Sequence, residues 1–332
     1  MNIAIIGIGA MGCLFAAHLT SLAKVVMIGR WPEQLAALQD QGLTLIHTDG
    51  RESHHRLHAT SGLTGLAAAD LALILVKSGQ TERAASQAQQ LLSPRGIALT
   101  LQNGLGNLEK VVAVVGANRA ALGVTAQGAT VVAPGIVRHA GHGLTHLARQ
   151  PATAAGLTEV AELFNQAGLE TYLTDNANSL VWGKLAVNAG INPLTALLGV
   201  PNGFLAENEG ARAIMGQAAE EVAAVAHAQG IELPFADAAQ RALEVARATA
   251  ANRSSMLQDV MRGASTEIDA ICGAVVDYGR RYDVPTPVNE RLLQLVKRLE
   301  TGDWGPEIGD WPMYRCSIGH RGLERKRVDC CG

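Results

Sequence analysis

The chain has 332 residues, of which 48% are hydrophobic and 17% charged, and its net charge is −3. A chain of this length is expected to form two domains, and this composition is typical of a folded α/β protein rather than a disordered or fibrous one. Because acidic and basic residues nearly balance, the sequence argues against a nucleic-acid or membrane-surface binder and favours a small-molecule ligand.

The N-terminus and the cysteines bear on the compartment. The first residues, MNIAIIGIGAMG, lack the basic region of a signal peptide, and no run of 18 apolar residues occurs. An odd, scattered set of cysteines favours a reducing compartment over a disulfide framework or a zinc site. This set comprises Cys13, Cys272, Cys316, Cys330 and Cys331. We therefore expect a cytoplasmic enzyme without a metal site or membrane span.

The first half of the chain alternates between strand and helix patterns. Residues 2–6 and 24–30 read as strands around a helix that starts after GIGAMG, which makes one βαβ unit. Further strands are predicted at 70–77 and 96–104, with a helix at 81–92 and antiparallel hairpins within 119–141. This alternation predicts a mostly parallel sheet.

From about residue 175 onwards, only helical periods are found. The predicted helices are 176–199, 207–229, 235–250, 253–282 and 287–300. We expect a sheet domain at 1–174, an all-α domain at 175–301, and a tail of unknown structure at 302–332.

The glycines of the first βαβ unit match the dinucleotide-binding pattern. Gly7 permits a tight turn, Gly9 lets a pyrophosphate approach the backbone, and Gly12 lets helix and strand pack closely. The helix N-terminus that follows offers free N–H groups to the phosphates. We expect the whole loop to contact the cofactor, namely Gly7, Ile8, Gly9, Ala10, Met11 and Gly12.

Other residues suggest which dinucleotide binds. The second strand ends at Arg30, where NAD-specific sites carry a carboxylate, and a guanidinium suits a 2′-phosphate; this predicts NADP(H). Lys77, Gln80 and Asn103 follow later strands at the same sheet edge, where they could reach the cofactor. As isolated polar residues, they could equally be solvated loop groups.

A polar stripe marks the first helix of the second half. Lys184, Asn188 and Asn192 are four residues apart and share one helix face, although the residues around them are apolar. The stripe could be solvent-exposed, or it could bind a ligand with a carboxylate and a hydroxyl. A second polar group lies in NRSSMLQDVMRGASTEID, 252–269, where Ser254 or Ser255 could cap a helix.

The segments GIGAMG, VKSGQ, LQNG, WGKLAVNAGINPLTALLG and SSMLQDV…TEIDAICG, in this order and spacing, resemble ketopantoate reductase (2-dehydropantoate 2-reductase) over residues 1 to about 300. The resemblance implies an N-terminal Rossmann-type domain followed by an all-α domain like the C-terminal domain of 6-phosphogluconate dehydrogenase. It also implies NADPH-dependent reduction of 2-dehydropantoate to (R)-pantoate, a step towards pantothenate and coenzyme A.

The resemblance also assigns site residues. Lys184 matches the general acid and Glu267 the supporting catalytic carboxylate, while Asn103 matches an asparagine beside both substrate and nicotinamide. Asn188, Asn192 and Ser255 match substrate-binding positions. The cofactor positions are the glycine loop, Arg30, Lys77, Gln80 and Asn103.

Two alternatives remain open at this point. The chain could be a reductase or dehydrogenase of another branched 2-keto or 2-hydroxy acid, or an NADP(H)-sensing protein without turnover. Intact Lys184 and Glu267 disfavour the sensor, since it needs no proton donor. A monomer or a homodimer is expected.

Overall fold

The structure is a computed structural model and describes residues 1–302. Its first half is built on an eight-stranded sheet with the order β12-β11-β8-β7-β6-β1-β2-β5. The bounds of these strands are β1 Asn2–Ile6, β2 Lys24–Ile28, β5 His58–Thr60, β6 Ala69–Ile74, β7 Leu92–Thr100, β8 Ala120–Thr125, β11 Thr145–Ala148 and β12 Thr171–Thr174.

Most neighbours in this sheet run parallel, which confirms the prediction. The exception is β11, which pairs antiparallel with β8 and parallel with β12. The central strands β1 and β6 are apolar runs, and Ile3–Ile6 and Leu71–Ile74 are fully buried because helices cover both faces of the sheet.

The helices of this half are α1 Ala10–Leu19, α2 Pro32–Asp40, α3 Thr81–Leu91, α4 Asn107–Val115 and α5 Ala154–Gln166. Helix α1 packs against one sheet face and α3 and α4 against the other. The sequence patterns missed α2, α4 and α5, which are short and only partly apolar.

A second sheet of four strands, with the order β4-β3-β10-β9, covers the outer side of α1. Its strands are β3 Leu43–Ile46, β4 Glu52–His55, β9 Gly128–Ala133 and β10 Ile136–Gly141. The predicted antiparallel hairpin within 119–141 is confirmed as the β9–β10 pair. The sequence patterns missed the short strands β3, β4, β5, β11 and β12, and β4, for example, reads ESHH and has no apolar alternation.

After β12 the described chain is helical, as predicted. The helices are α6 Ala177–Leu198, α7 Asn202–Glu207, α8 Glu209–Ala228, α9 Ala238–Ala248, α10 Ser255–Met261, a π-helix Asp269–Gly273, α11 Ala274–Arg281 and α12 Pro287–Thr301. The others pack around α6, which is buried along most of its length. No helix within residues 1–302 is long and apolar enough to cross a membrane.

Three predicted helices are wrong in their bounds, and the one expected at 235–250 spans only Ala238–Ala248. The helix expected at 253–282 breaks after α10, where Gly263 has φ +63°, and resumes only at the π-helix. The helix expected at 207–229 begins at Glu209, because Asn208 caps α8 by accepting a hydrogen bond from the Ala211 N–H at 3.0 Å. The tail predicted at 302–332, with Cys316, Cys330 and Cys331, lies outside the described residues apart from Gly302.

Candidate active site

The glycine loop has the geometry expected of a dinucleotide site. Gly7 has φ +125°, and a Cβ on Gly12 would lie 1.9 Å from the Gly7 carbonyl oxygen, so sterics inside the protein require both glycines. A Cβ on Gly9 would instead meet nothing within 4 Å. Gly9 is also the residue before α1, and no side chain caps that helix end. The first backbone N–H groups of α1 therefore face open space.

The other predicted cofactor residues lie along the same sheet edge. Arg30 is exposed just beyond β2, and Gln80 is exposed at the end of the short 3₁₀ helix Ser78–Gln80 that follows β6. The part of the chain that the structure describes provides neither side chain with a hydrogen-bond partner. Both are therefore free to contact a ligand over the carboxyl ends of the strands.

Lys184 reaches from α6 to the end of β8. Its Nζ donates a hydrogen bond to the backbone carbonyl of Thr125 at 2.6 Å. Desolvation by burial lowers the pKa of Lys184 to about 8, while the charge of the Glu267 carboxylate acts in the opposite direction. An ammonium group that loses its proton near pH 8 is suited to transfer it at neutral pH.

The two asparagines of the polar stripe continue along α6 from Lys184. Asn188 is partly buried and Asn192 is 6% exposed. Within residues 1–302, neither amide side chain forms a hydrogen bond. Neither amide belongs to the fully buried polar groups that lack a partner in the described part of the chain, so both keep access to solvent and are available to a polar ligand.

Glu267 is held by side chains from the sheet half. The Ser78 hydroxyl donates to Glu267 Oε1 at 3.1 Å, and Asn103 Nδ2 donates to Glu267 Oε2 at 3.3 Å. Asn107 stabilises both partners, since its Nδ2 lies 2.9 Å from the Asn103 carbonyl and 3.4 Å from Ser78 Oγ. The carboxylate of the helical half is thus oriented by the loops after β6 and β7.

Lys77 joins the same cluster through a buried carboxylate. Its Nζ lies 2.5 Å from Asp259 Oδ2 and 3.9 Å from Glu267 Oε2. Asp259 is 1% exposed, and its Oδ1 also forms an ion pair with Arg262 Nη2 at 2.8 Å. Two cations therefore balance its buried charge. This ion pair connects the loop after β6 to α10.

The structure brings some predicted residues together and leaves others, among them Ser255, apart. Lys77, Asn103 and Glu267 are in direct contact, and Lys184 is close enough to feel the charge of Glu267. Ser255 is exposed at the first position of α10 and touches none of this cluster through a hydrogen bond; the buried cap of α10 is Ser254.

Sequence reasoning missed three contributors: Ser78, Asn107 and the role of Asp259. Ser78 lies inside the VKSGQ motif and Asp259 inside SSMLQD, so both belong to motifs that the sequence analysis singled out. Only the folded chain shows that Ser78 binds Glu267 and that Asp259 binds Lys77. Within the described part of the chain, no group of three or more His, Cys, Asp or Glu side chains is arranged to hold a metal ion.

Comparison with known proteins gives the chain a family. The family described as "Ketopantoate reductase PanE/ApbA" matches residues 3–151, and "Ketopantoate reductase PanE/ApbA C terminal" matches residues 176–300. The 2-dehydropantoate 2-reductase of Halobacterium salinarum is 36% identical over 90% of this chain and 98% of its own length. The chain belongs to the ketopantoate reductase family.

Other relatives agree with this family assignment. The 2-dehydropantoate 2-reductase of Vibrio cholerae is 35% identical over 90% of this chain and 98% of its own length. Among solved structures, the ketopantoate reductase of Ralstonia eutropha JMP134 aligns with a TM-score of 0.83 at 32% identity, covering 91% of this chain and 99% of its own.

A D-mandelate dehydrogenase solved with NADH and anilino(oxo)acetate aligns with a TM-score of 0.84 at 27% identity, covering 91% of this chain and 99% of its own. The relatives confirm the predicted fold class, the family resemblance and the oxidoreductase class.

Proposed function

We propose that this protein is an NADP-dependent oxidoreductase that reduces 2-dehydropantoate to (R)-pantoate, on the route to pantothenate and coenzyme A. The main observation in support is the partly buried Lys184, which lies at the carboxyl edge of a Rossmann-type sheet. Burial lowers its pKa to about 8, and the charge of Glu267 acts on it. The names of the relatives, which are 2-dehydropantoate 2-reductases, support the same substrate.

The cofactor site fits an NADP(H) molecule. The open space at Gly9 accepts a pyrophosphate against the free N–H groups of α1, and exposed Arg30 supplies a cation for the 2′-phosphate. The remaining predicted contacts are Lys77, Gln80 and Asn103 at the sheet edge. When bound, the nicotinamide supplies the hydride that reduces the carbonyl carbon C2.

Lys184 acts as the general acid. Its ammonium, held at the end of β8 by Thr125, would face the carbonyl oxygen of the substrate and donate a proton as negative charge develops there. Glu267 holds the hydroxyl end of the substrate, because its carboxylate is fixed by Ser78 and Asn103 and can accept a further hydrogen bond.

The amides of the α6 stripe bind the substrate. Asn188 and Asn192 offer two donors and one acceptor each, which suits the carboxylate and hydroxyl of a 2-keto acid. The exposed hydroxyl of Ser255, at the start of α10, is the remaining proposed contact to the substrate. The proposed division of labour is a cofactor domain at 1–174 and a substrate domain at 175–301.

The setting of the enzyme is also a proposal. A cytoplasmic location accords with the buried free cysteines Cys13 and Cys272, and a monomer or homodimer would hold the whole site within one chain. Small 2-keto acids would be the ligands, with no nucleic-acid or membrane partner.

A second substrate class is favoured by one observation. The D-mandelate dehydrogenase aligns as well as the ketopantoate reductase, which makes a 2-hydroxy acid dehydrogenase the alternative. We would follow NADPH and NADH absorbance with ketopantoate, 2-ketoisovalerate, pyruvate and phenylglyoxylate. Fast oxidation of NADPH with ketopantoate is expected. Preference for phenylglyoxylate would assign the alternative, and cofactor binding without turnover of any acid would indicate a sensor.

A further inference from the structure

The π-helix lies next to the proposed catalytic carboxylate. It spans Asp269–Gly273 and begins two residues after Glu267. Its wide turn is closed by the Gly273 N–H, which donates to the carbonyl of Ile268, five residues earlier, at 3.0 Å. Such single wide turns are rare and are frequently found at functional sites, since the extra residue changes the direction in which nearby groups point.

The loop after β7 rests on this π-helix through its main chain. The Leu105 N–H donates to the Ala270 carbonyl at 2.9 Å. Between the two segments lies Gly104, with φ +81°, where a Cβ would lie 2.4 Å from that carbonyl oxygen and 2.7 Å from the Ala270 Cβ. A side chain at Gly104 would therefore push two backbones apart, because the atom it meets belongs to the main chain.

The same two segments carry the Asn103–Glu267 contact. Asn103 precedes Gly104, and Glu267 lies one helical turn before Ala270. The Asn103 Nδ2 to Glu267 Oε2 distance is 3.3 Å, at the long end of the range for a hydrogen bond. A separation of a few tenths of an ångström between loop and π-helix is enough to break it.

We propose that Gly104 is a positioning residue. By letting the loop after β7 pack against the Ala270 carbonyl, it holds the Glu267 carboxylate within hydrogen-bond distance of Asn103. This role needs no contact between Gly104 and the substrate. Because turnover is the main readout, the inference rests on the proposed function of Glu267.

Gly106 provides a matched control. It has φ +82°, nearly the same as Gly104, but a Cβ there would meet nothing within 4 Å. Gly104→Ala and Gly106→Ala therefore carry the same backbone strain, and only the first meets Ala270. We expect kcat/KM for ketopantoate to fall at least about tenfold in Gly104→Ala and less than about threefold in Gly106→Ala. Equal losses in the two variants would overturn the proposal.

A double variant tests whether the effect passes through Glu267. In a Glu267→Gln background, Gly104→Ala should lower kcat/KM by less than about twofold, since the group that it positions has lost its charge. A general structural defect would multiply the two losses instead, and that result would also refute the role. If Gly104→Ala does not fold, Ala270→Leu enlarges the same contact from the helical side, and wild-type kcat/KM in that variant would contradict the proposal.

Hydrogen exchange provides a readout without turnover. In Gly104→Ala, exchange followed by mass spectrometry should accelerate at least about tenfold in peptides covering both 101–108 and 265–275. In Gly106→Ala, only the first peptide should change. This result does not depend on which 2-keto acid the enzyme reduces, so it separates failure of the docking from failure of the proposed function. Unchanged exchange in a folded Gly104→Ala protein would overturn the inference.

Discussion

Replacing Lys184 by methionine separates the chemical role of the ammonium from the packing of its side chain. Methionine keeps an unbranched apolar chain of similar length but has no proton to donate. The Lys184 Nζ is now held 2.6 Å from the Thr125 carbonyl oxygen at the sheet edge. We expect kcat for ketopantoate reduction to fall by about 10²–10⁴-fold, the usual range for loss of a positioned general acid.

The stability of the Lys184→Met variant should change little. Folding lowers the pKa of Lys184 from 10.5 to about 8, which at pH 7 costs the folded state up to about 3 kcal/mol, and partial exposure reduces this. Removing the ammonium relieves that cost but leaves the Thr125 carbonyl without its partner, a loss of about 1–3 kcal/mol. Because the two terms nearly cancel, we expect Tm at pH 7 to stay within about 3 °C of the wild type.

The pH dependence gives a second signature of the same residue. Only the protonated lysine can act as an acid, so wild-type kcat/KM for ketopantoate should fall as pH rises through about 8. The unfolded chain binds more protons than the folded one between about pH 8 and 10.5, so the Lys184 contribution to stability rises over that interval. A folded Lys184→Met protein that keeps more than about a tenth of wild-type kcat, with the same alkaline decline, would refute the acid role.

Three further changes test neighbouring parts of the structure. Arg30→Ala should raise KM for NADPH about 10–100-fold and leave KM for NADH unchanged; an equal rise for both would remove Arg30 from the 2′-phosphate. Glu267→Gln should lower kcat/KM for ketopantoate at least about tenfold, whereas wild-type kinetics would mean that Glu267 only joins the two halves of the protein. Burial, helped by the charges of His142 and His18, lowers the pKa of His139 from 6.5 to about 4. The free energy of unfolding, measured by denaturant titration, should therefore fall below about pH 6.5, by up to about 2 kcal/mol at pH 5. His139→Gln should reduce this pH dependence, and an unchanged dependence in that variant would contradict the prediction.

The sequence predicted those parts of the fold that rest on local periodicity. The strand–glycine loop–helix unit at residues 2–30 and the apolar helix α6 were both found, because each repeats its pattern over enough residues. Strand β4 was missed because its ESHH sequence has no such pattern, and its pairing with β3 is decided by tertiary contacts.

The break between α10 and the π-helix shows a different limit. Residues 253–282 keep a helical period throughout, but Gly263 adopts φ +63° and the chain turns away before Glu267. The turn brings Glu267 towards Asn103 and Ser78 of the sheet half. Periodicity along one segment carries no information about a contact more than 150 residues away.

The same distinction, between local sequence patterns and tertiary contacts, applies to the candidate site. Residue spacing pointed to the glycine loop, whereas the roles of Lys184 and Glu267 came from the resemblance of their motifs to ketopantoate reductase. The role of Asp259 could not be read from its motif, because it depends on Lys77 approaching from the other half of the chain.

The most direct measurement is the yield of pantoate per NADPH oxidised. Purified protein would be mixed with ketopantoate and a limiting amount of NADPH, and the product separated by chiral chromatography. Hydride transfer to C2 with Lys184 as the proton donor predicts one (R)-pantoate for each NADPH consumed, and formation of (R)-pantoate about 10²–10⁴-fold slower with Lys184→Met. Loss of NADPH without pantoate, or turnover of another 2-keto acid with none of ketopantoate, would contradict the proposed reaction.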